Sequence, residues 1–148
     1  MRTKVRSLLL IGVLALAACS GGTQTDARSN CSSSGRSGTC TLTLVSIEGY
    51  SYRHEFQNSE FWPGAPGVQV KMQVTVEKGR VRVWLEDGQH NQVSALVEPG
   101  KTTELAGTAW LDTIGGDKRS FYVYFEPLIT DDVKRAENVQ ALIQYDMP

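Results

Sequence analysis

The side chains with the most capacity for chemistry in this sequence are two histidines, two acidic pairs and a set of aromatic residues at alternate positions. His54 falls inside an alternating run and His90 in a polar stretch. Nucleophilic catalysis needs a nucleophile, a base and an orienting carboxylate that meet in space. His54 beside Glu55 does not supply this, because neighbouring residues of a strand point to opposite faces. No nucleophile elbow, phosphate-cradling loop, zinc-protease or calcium-loop pattern occurs. A rim or surface position is therefore expected for both histidines, and no catalytic residue is assigned. The competing reading is a hydrolase site around His54, completed by a carboxylate from another strand within about 3 Å. Glu86-Asp87 and Asp131-Asp132 offer oxygens suited to a hard cation, but solvated turns collect such pairs for local hydrogen bonding. Three cysteines are too few for a four-cysteine zinc or iron–sulfur site. The expectation is no enzyme, no metal and no cofactor.

The aromatic residues carry a different chemistry. On a strand over residues 120–126, Phe121, Val123 and Phe125 share one face and Tyr122 and Tyr124 the other. Trp84 falls on the charged face of its own strand. Trp84, Tyr122 and Tyr124 together are the candidate ligand-binding residues: on an exposed sheet face they would form a platform able to stack on sugar rings or hold an apolar side chain. The alternative, which a strand apolar on both faces favours, is that the loop Phe61-Trp62-Pro63-Gly64-Ala65-Pro66-Gly67 folds over them.

The elements that would position these residues read as strands. Residues 68–76 alternate apolar and polar without a break, the period of a half-buried strand. A two-residue hairpin loop at Lys78-Gly79 would set Val76 opposite Val81, Val74 opposite Val83 and Met72 opposite Leu85. It would also pair Glu77 with Arg80 and Lys71 with Glu86. In the next turn, a two-residue loop at Asp87-Gly88 would drive His90 and Gln92 into the core. Pairing Leu85 with Val93, Val83 with Ala95 and Val81 with Val97 keeps an apolar face, so the loop spans about residues 87–91. Further strands are expected over 41–47, 50–56, 102–111, 120–126 and 138–145, with one helical turn at 131–137. About eight short strands predict an all-β fold, an antiparallel β-sandwich with Greek-key or jelly-roll-like connections, or else a small closed barrel.

The N-terminus has a separate logic. Arg2, Lys4 and Arg6 precede an apolar run over residues 8–18. Eleven helical residues rise about 16 Å, short of a hydrocarbon core of about 30 Å, so the run reads as a signal peptide and not a membrane span. At its end, Leu16-Ala17-Ala18-Cys19 resembles the lipobox of bacterial lipoproteins. The resemblance covers residues 1–19 only. It implies that Cys19 receives a diacylglyceryl group, that residues 1–18 are removed, and that a further acyl chain (palmitate being typical) often follows. Two or three chains anchor stably where one alone is marginal. The implied partner is a membrane, the cell membrane or an outer membrane, with the body exposed outside the cytoplasm. Ser20 in place of an aspartate leaves the outer-membrane address open.

With Cys19 lipidated, Cys31 and Cys40 remain as an even pair in an exported chain, which suggests a disulfide. Two free thiols, or half of a metal site, compete with this, but no histidine lies near either cysteine in sequence. Residues 19–39 are almost wholly Ser, Gly, Thr, Asn, Gln, Asp and Arg and read as a flexible tether, leaving 40–148 as the sandwich domain. Processing would remove three cations and no acid, taking the formal charge from −1 to −4. Such a body lacks the basic excess that nucleic-acid binding requires. The reading is a lipid-anchored envelope module with a non-catalytic binding or structural role toward an envelope protein or a glycan. A glycan-binding module using the aromatic face is the alternative.

Overall fold

The computed structural model of the chain describes residues 26–61, 67–86, 91–111 and 119–148. The signal peptide, Cys19, His90, Asp87 and residues 62–66 of the aromatic loop lie outside them. The described residues form nine strands and no helix: β1 (Ala27–Ser34), β2 (Ser37–Glu48), β3 (Tyr52–Gln57), β4 (Val68–Thr75), β5 (Val81–Glu86), β6 (Gln92–Val97), β7 (Thr103–Ala109), β8 (Ser120–Pro127) and β9 (Arg135–Asp146).

The pairing is nested. β5 pairs with β6, β4 with β7, β3 with β8 and β2 with β9, all antiparallel. The chain thus doubles back near residues 87–91 into one long two-stranded ribbon, and the ribbon rolls so that successive strands alternate between two sheets. One sheet has the order β1-β2-β9-β4-β7 and the other β3-β8-β5-β6. This is a jelly roll, one of the two arrangements the strand count predicts, with β1 added at an edge.

Both inner faces are apolar. Val68, Val70, Met72 and Val74 of β4 and Ala141, Ile143 and Tyr145 of β9 face Val81, Val83 and Leu85 of β5 and Phe121, Val123 and Phe125 of β8, all buried. Burial alternates strictly along β4 and along β9 from Val139 onward, as a sheet with one face in the core and one in solvent requires. Midway along the β2–β9 pair the inward side shifts by one residue. Leu44 and Val139 point in, and so do Ile47 and Ala136, with Asn138 between them at φ 51°. Asparagine is among the few residues that accept this left-handed geometry.

Three expectations are corrected. Residues 68–76 and 80–86 do not form a hairpin: β4 lies in one sheet and β5 in the other, and the segment between them, exposed at Glu77, Lys78 and Arg80, passes from one sheet to the other at the end of the sandwich. Val76 and Val81 point inward in either arrangement, so the apolar pattern could not choose between an in-sheet neighbour and one across the sandwich. The charges of the crossing pair elsewhere, Lys78 with Glu137 at 3.2 Å. Residues 27–39 are not a flexible tether: β1 and the start of β2 pair from Ala27 to Ser37. All eight β1 residues are exposed, so this strand leaves no apolar signature. Its order comes from ladder hydrogen bonds to β2 and from the Cys31–Cys40 disulfide, which joins directly opposed residues. Finally, residues 131–137 are not a helical turn. Asp131 and Asp132 form a bend closed by the Thr130 and Val133 backbones, and β9 starts at Arg135. The β5–β6 register, by contrast, is the predicted one: Val81 opposite Val97, Val83 opposite Ala95 and Leu85 opposite Val93.

The sandwich has two poles. The start of β1, the 49–51, 76–80 and 98–102 turns and the β8–β9 connection gather at the Asp26 pole. The β1–β2 turn, the ends of the segments around 62–66, 87–90 and 112–118, and the C-terminal residues gather at the Gly35 pole.

Candidate functional site

Trp84, Tyr122 and Tyr124 do meet, on the outer face of the four-stranded sheet. Trp84 of β5 is the direct cross-strand neighbour of Tyr124 of β8, and their rings stack at 4.9 Å with 5° between planes. Tyr122 lies two residues along, 6.4 Å from Tyr124. Arginines occupy the flanks. The Arg53 guanidinium sits 4.5 Å over the Tyr122 ring and that of Arg82 5.3 Å over Trp84, and Arg82 also pairs with Glu126. These contacts have a physical cause: electron-rich ring faces attract cations, and parity places Arg53, Arg82, Tyr122, Tyr124 and Trp84 on one side. Trp84 is only 8% exposed, while both tyrosines are half-buried. The three rings therefore form an arginine-clasped row, Trp84 stacked on Tyr124 and Tyr122 tilted 45° to Tyr124, in which Trp84 offers little surface. An open three-ring platform is not present.

The outer face of the other sheet carries a groove of about 620 Å³. β9 lies between β2 and β4, so Gln144 is level with Lys71 and Leu142 with Gln73, and β7 adds Ala106 and Glu104 to the same two rows. These six side chains line the groove. Gln73 Nε2 donates to Glu104 Oε1 at 3.1 Å. Primary amides supply donor and acceptor together, Lys71 a mobile donor and Glu104 an acceptor, while Leu142 and Ala106 contribute apolar patches. Such a surface matches a ligand with hydroxyls on one edge and C–H on its face. Sequence analysis missed these residues, since Gln and Lys at alternate β4 positions look like any solvated face. Only the position of β9 gathers them.

His54 lies on the inner side of edge strand β3 and is half-buried, a rim position. It is opposite Val123 and against Phe56 at 4.8 Å in an edge-on arrangement. Glu55 points the other way and accepts from Ser120 Oγ, as alternation requires. Nδ1 of His54 and the Tyr52 hydroxyl are 3.3 Å apart. Burial holds the imidazole below its ordinary range and pushes the Tyr52 phenol up, so a neutral ring faces a neutral phenol. The hydrolase reading needed a carboxylate here, and the hydrogen-bond partner is Tyr52. The structure does bring a histidine to the cysteines: the His54 ring and both sulfurs of Cys31 and Cys40 lie within 4.8 Å of one another. Sequence separation had argued against that meeting, and it arises because β3 covers the β1–β2 edge.

No protein-family model and no curated protein matches the chain. Among solved structures, the chain is similar to the CBM22-2 xylan-binding domain from Paenibacillus barcinonensis Xyn10C, at 10% identity and a TM-score of 0.44, over 81% of this chain and 91% of that one. It is similar to the Clostridium thermocellum Xyn10B CBM22-1-GH10 modules complexed with xylohexaose, at 10% identity and a TM-score of 0.40, over 84% of this chain and 25% of that one. A third is peruvianin-I, a cysteine peptidase from Thevetia peruviana latex, at 9% identity and a TM-score of 0.39, over 86% of this chain and 66% of that one. The likenesses are in the course of the backbone, and no residue role is transferred from any of them.

Proposed function

We propose that this chain is a lipid-anchored, non-catalytic binding module of a bacterial cell envelope, and that its binding face is the groove on the five-stranded sheet. The observation that carries the binding role is the groove itself: two levelled rows on β9, β4 and β7 presenting Lys71, Gln73, Gln144 and Glu104 around Leu142 and Ala106. A glycan of the envelope has the matching chemistry, since its hydroxyls take hydrogen bonds from amides and its ring faces lie on aliphatic carbon. The anchor is supported by Leu16-Ala17-Ala18-Cys19 after a short apolar run. The half-buried Tyr122 and Tyr124, with Arg53, offer a second contact face for a protein partner.

Affinity electrophoresis against neutral β-linked polysaccharides and soluble peptidoglycan fragments tests the binding role. Retardation by at least one is expected. Gln73→Ala and Gln144→Ala should each weaken it about threefold to tenfold, the range for losing one hydrogen bond, and Tyr122→Ala should leave it unchanged. Retardation lost with Tyr122→Ala and kept in the glutamine variants would move the site to the other sheet, and no retardation at all would overturn the glycan partner. Mass spectrometry of the processed chain from its native host tests the anchor: the N-terminal residue should be Cys19 carrying acyl mass.

A further inference from the structure

We propose that Cys31, Cys40 and His54 form a redox-gated site for a thiophilic divalent cation of the zinc type, closed while the disulfide is intact and open when it is reduced. The proposal does not depend on what the groove binds.

Two sulfurs and one imidazole are the donor set that soft and borderline cations select. Tetrahedral coordination at ordinary zinc bond lengths sets ligand atoms about 3.5 to 3.8 Å apart, and the three donors already lie within 4.8 Å. Small side-chain rotations after reduction are enough to complete the triangle. Each donor is fixed by a different strand. Cys40 is fully buried on the inner face of β2, Cys31 sits opposite it on edge strand β1, and His54 reaches in from β3 of the other sheet. Cys31 is exposed, which gives an ion a path from solvent and leaves room for water as a fourth ligand. An imidazole in its neutral form offers one ring nitrogen with a free lone pair and keeps N–H on the other. With a cation on Nε2, Nδ1–H can donate to the Tyr52 hydroxyl, 3.3 Å away, the outer contact that fixes a ligating histidine.

The chemistry balances. A dithiol reductant exchanges with the Cys31–Cys40 bond, giving two thiols here and a disulfide on the reductant. That transfers two electrons and two protons. Binding of the cation then releases the two thiol protons as both sulfurs coordinate as thiolates. Exchange with a disulfide oxidant reverses this: the two sulfurs rejoin as the Cys31–Cys40 bond, the oxidant takes the two electrons and two protons to become two thiols, and the cation, left without thiolate ligands, is released.

The test uses the processed chain in detergent, reduced and oxidised, titrated with Co²⁺ and then displaced by Zn²⁺. The reduced chain should take one equivalent of Co²⁺, with a thiolate charge-transfer band in the near ultraviolet, and Zn²⁺ should abolish the band. The oxidised chain should show none. His54→Ala should weaken binding at least tenfold and His54→Cys should restore it, while circular dichroism of each reduced variant checks that the sandwich persists. A folded reduced chain without the band, an equal response from the oxidised chain, or a His54→Ala variant binding as tightly as the parent would each overturn the proposal. So would unfolding of the chain on reduction, because the site needs β1 held beside β2.

Discussion

Enclosing the His54 ring against Phe56 and beneath Tyr52 deprives its cation of water, and this has a measurable sign. A base whose native pKa lies below its unfolded value takes up protons more readily when unfolded. Stability is therefore complete above the ordinary histidine value of about 6.5, and it declines as pH falls below that value until the lower native pKa is reached. In the disulfide form, with a chelator present, denaturant titrations of the parent and of His54→Gln should diverge in slope between pH 6.5 and pH 5, the parent losing stability faster on acidification. Parallel curves would mean that the ring keeps its water. At this scale the sequence was legible where parity governs. Phe121, Val123 and Phe125 inside with Tyr122 and Tyr124 outside follows from alternation alone. It was opaque where proximity depends on the other sheet: nothing between residues 31 and 54 signals that β3 will close over the disulfide.

At the scale of elements, the β4–β5 crossover isolates a backbone requirement. Gly79 adopts φ 77°, and a Cβ there would stand 2.6 Å from the Arg135 carbonyl oxygen, whereas Gly100 has the same φ of 77° with nothing within 4 Å. Alanine at either position incurs the left-handed penalty of about 1–2 kcal/mol. Gly79→Ala must also push β9 away, and its loss of stability should exceed that of Gly100→Ala in chemical denaturation; equal losses would show that the crossover yields freely. The same crossover explains which pairings were readable. Val81, Val83 and Leu85 opposite Val97, Ala95 and Val93 form the tip of the ribbon, where partners are close in sequence and an apolar mismatch rules out other registers. β4 instead pairs with β9, some seventy residues away, and the 68–76 and 80–86 patterns fit a hairpin as well as two strands facing each other through the core. β1 escaped notice for a different reason: hydrogen bonding and a covalent link hold it, and neither leaves a hydrophobic period.

At the scale of the whole molecule, pairing that begins at Ala27, with Val45 N–H donating to the Asp26 carbonyl, shortens the leash on any lipid at Cys19. Seven residue steps separate Cys19 from Asp26, a span of at most about 25 Å when fully extended. If the proposed anchor holds, the body would stand on its Asp26 pole, with Tyr50, 83% exposed, turned toward the headgroups and the Gly35 pole away from them. A nitroxide or fluorophore attached through Tyr50→Cys in proteoliposomes should be quenched by a lipid-borne quencher, and one attached through Arg36→Cys should not; equal quenching would mean that the body lies flat or tumbles. In that upright posture the groove, which runs along the side of the sandwich, faces neither up nor down. It would scan the layer beside the bilayer, so that whatever it holds lies alongside the membrane and not above it.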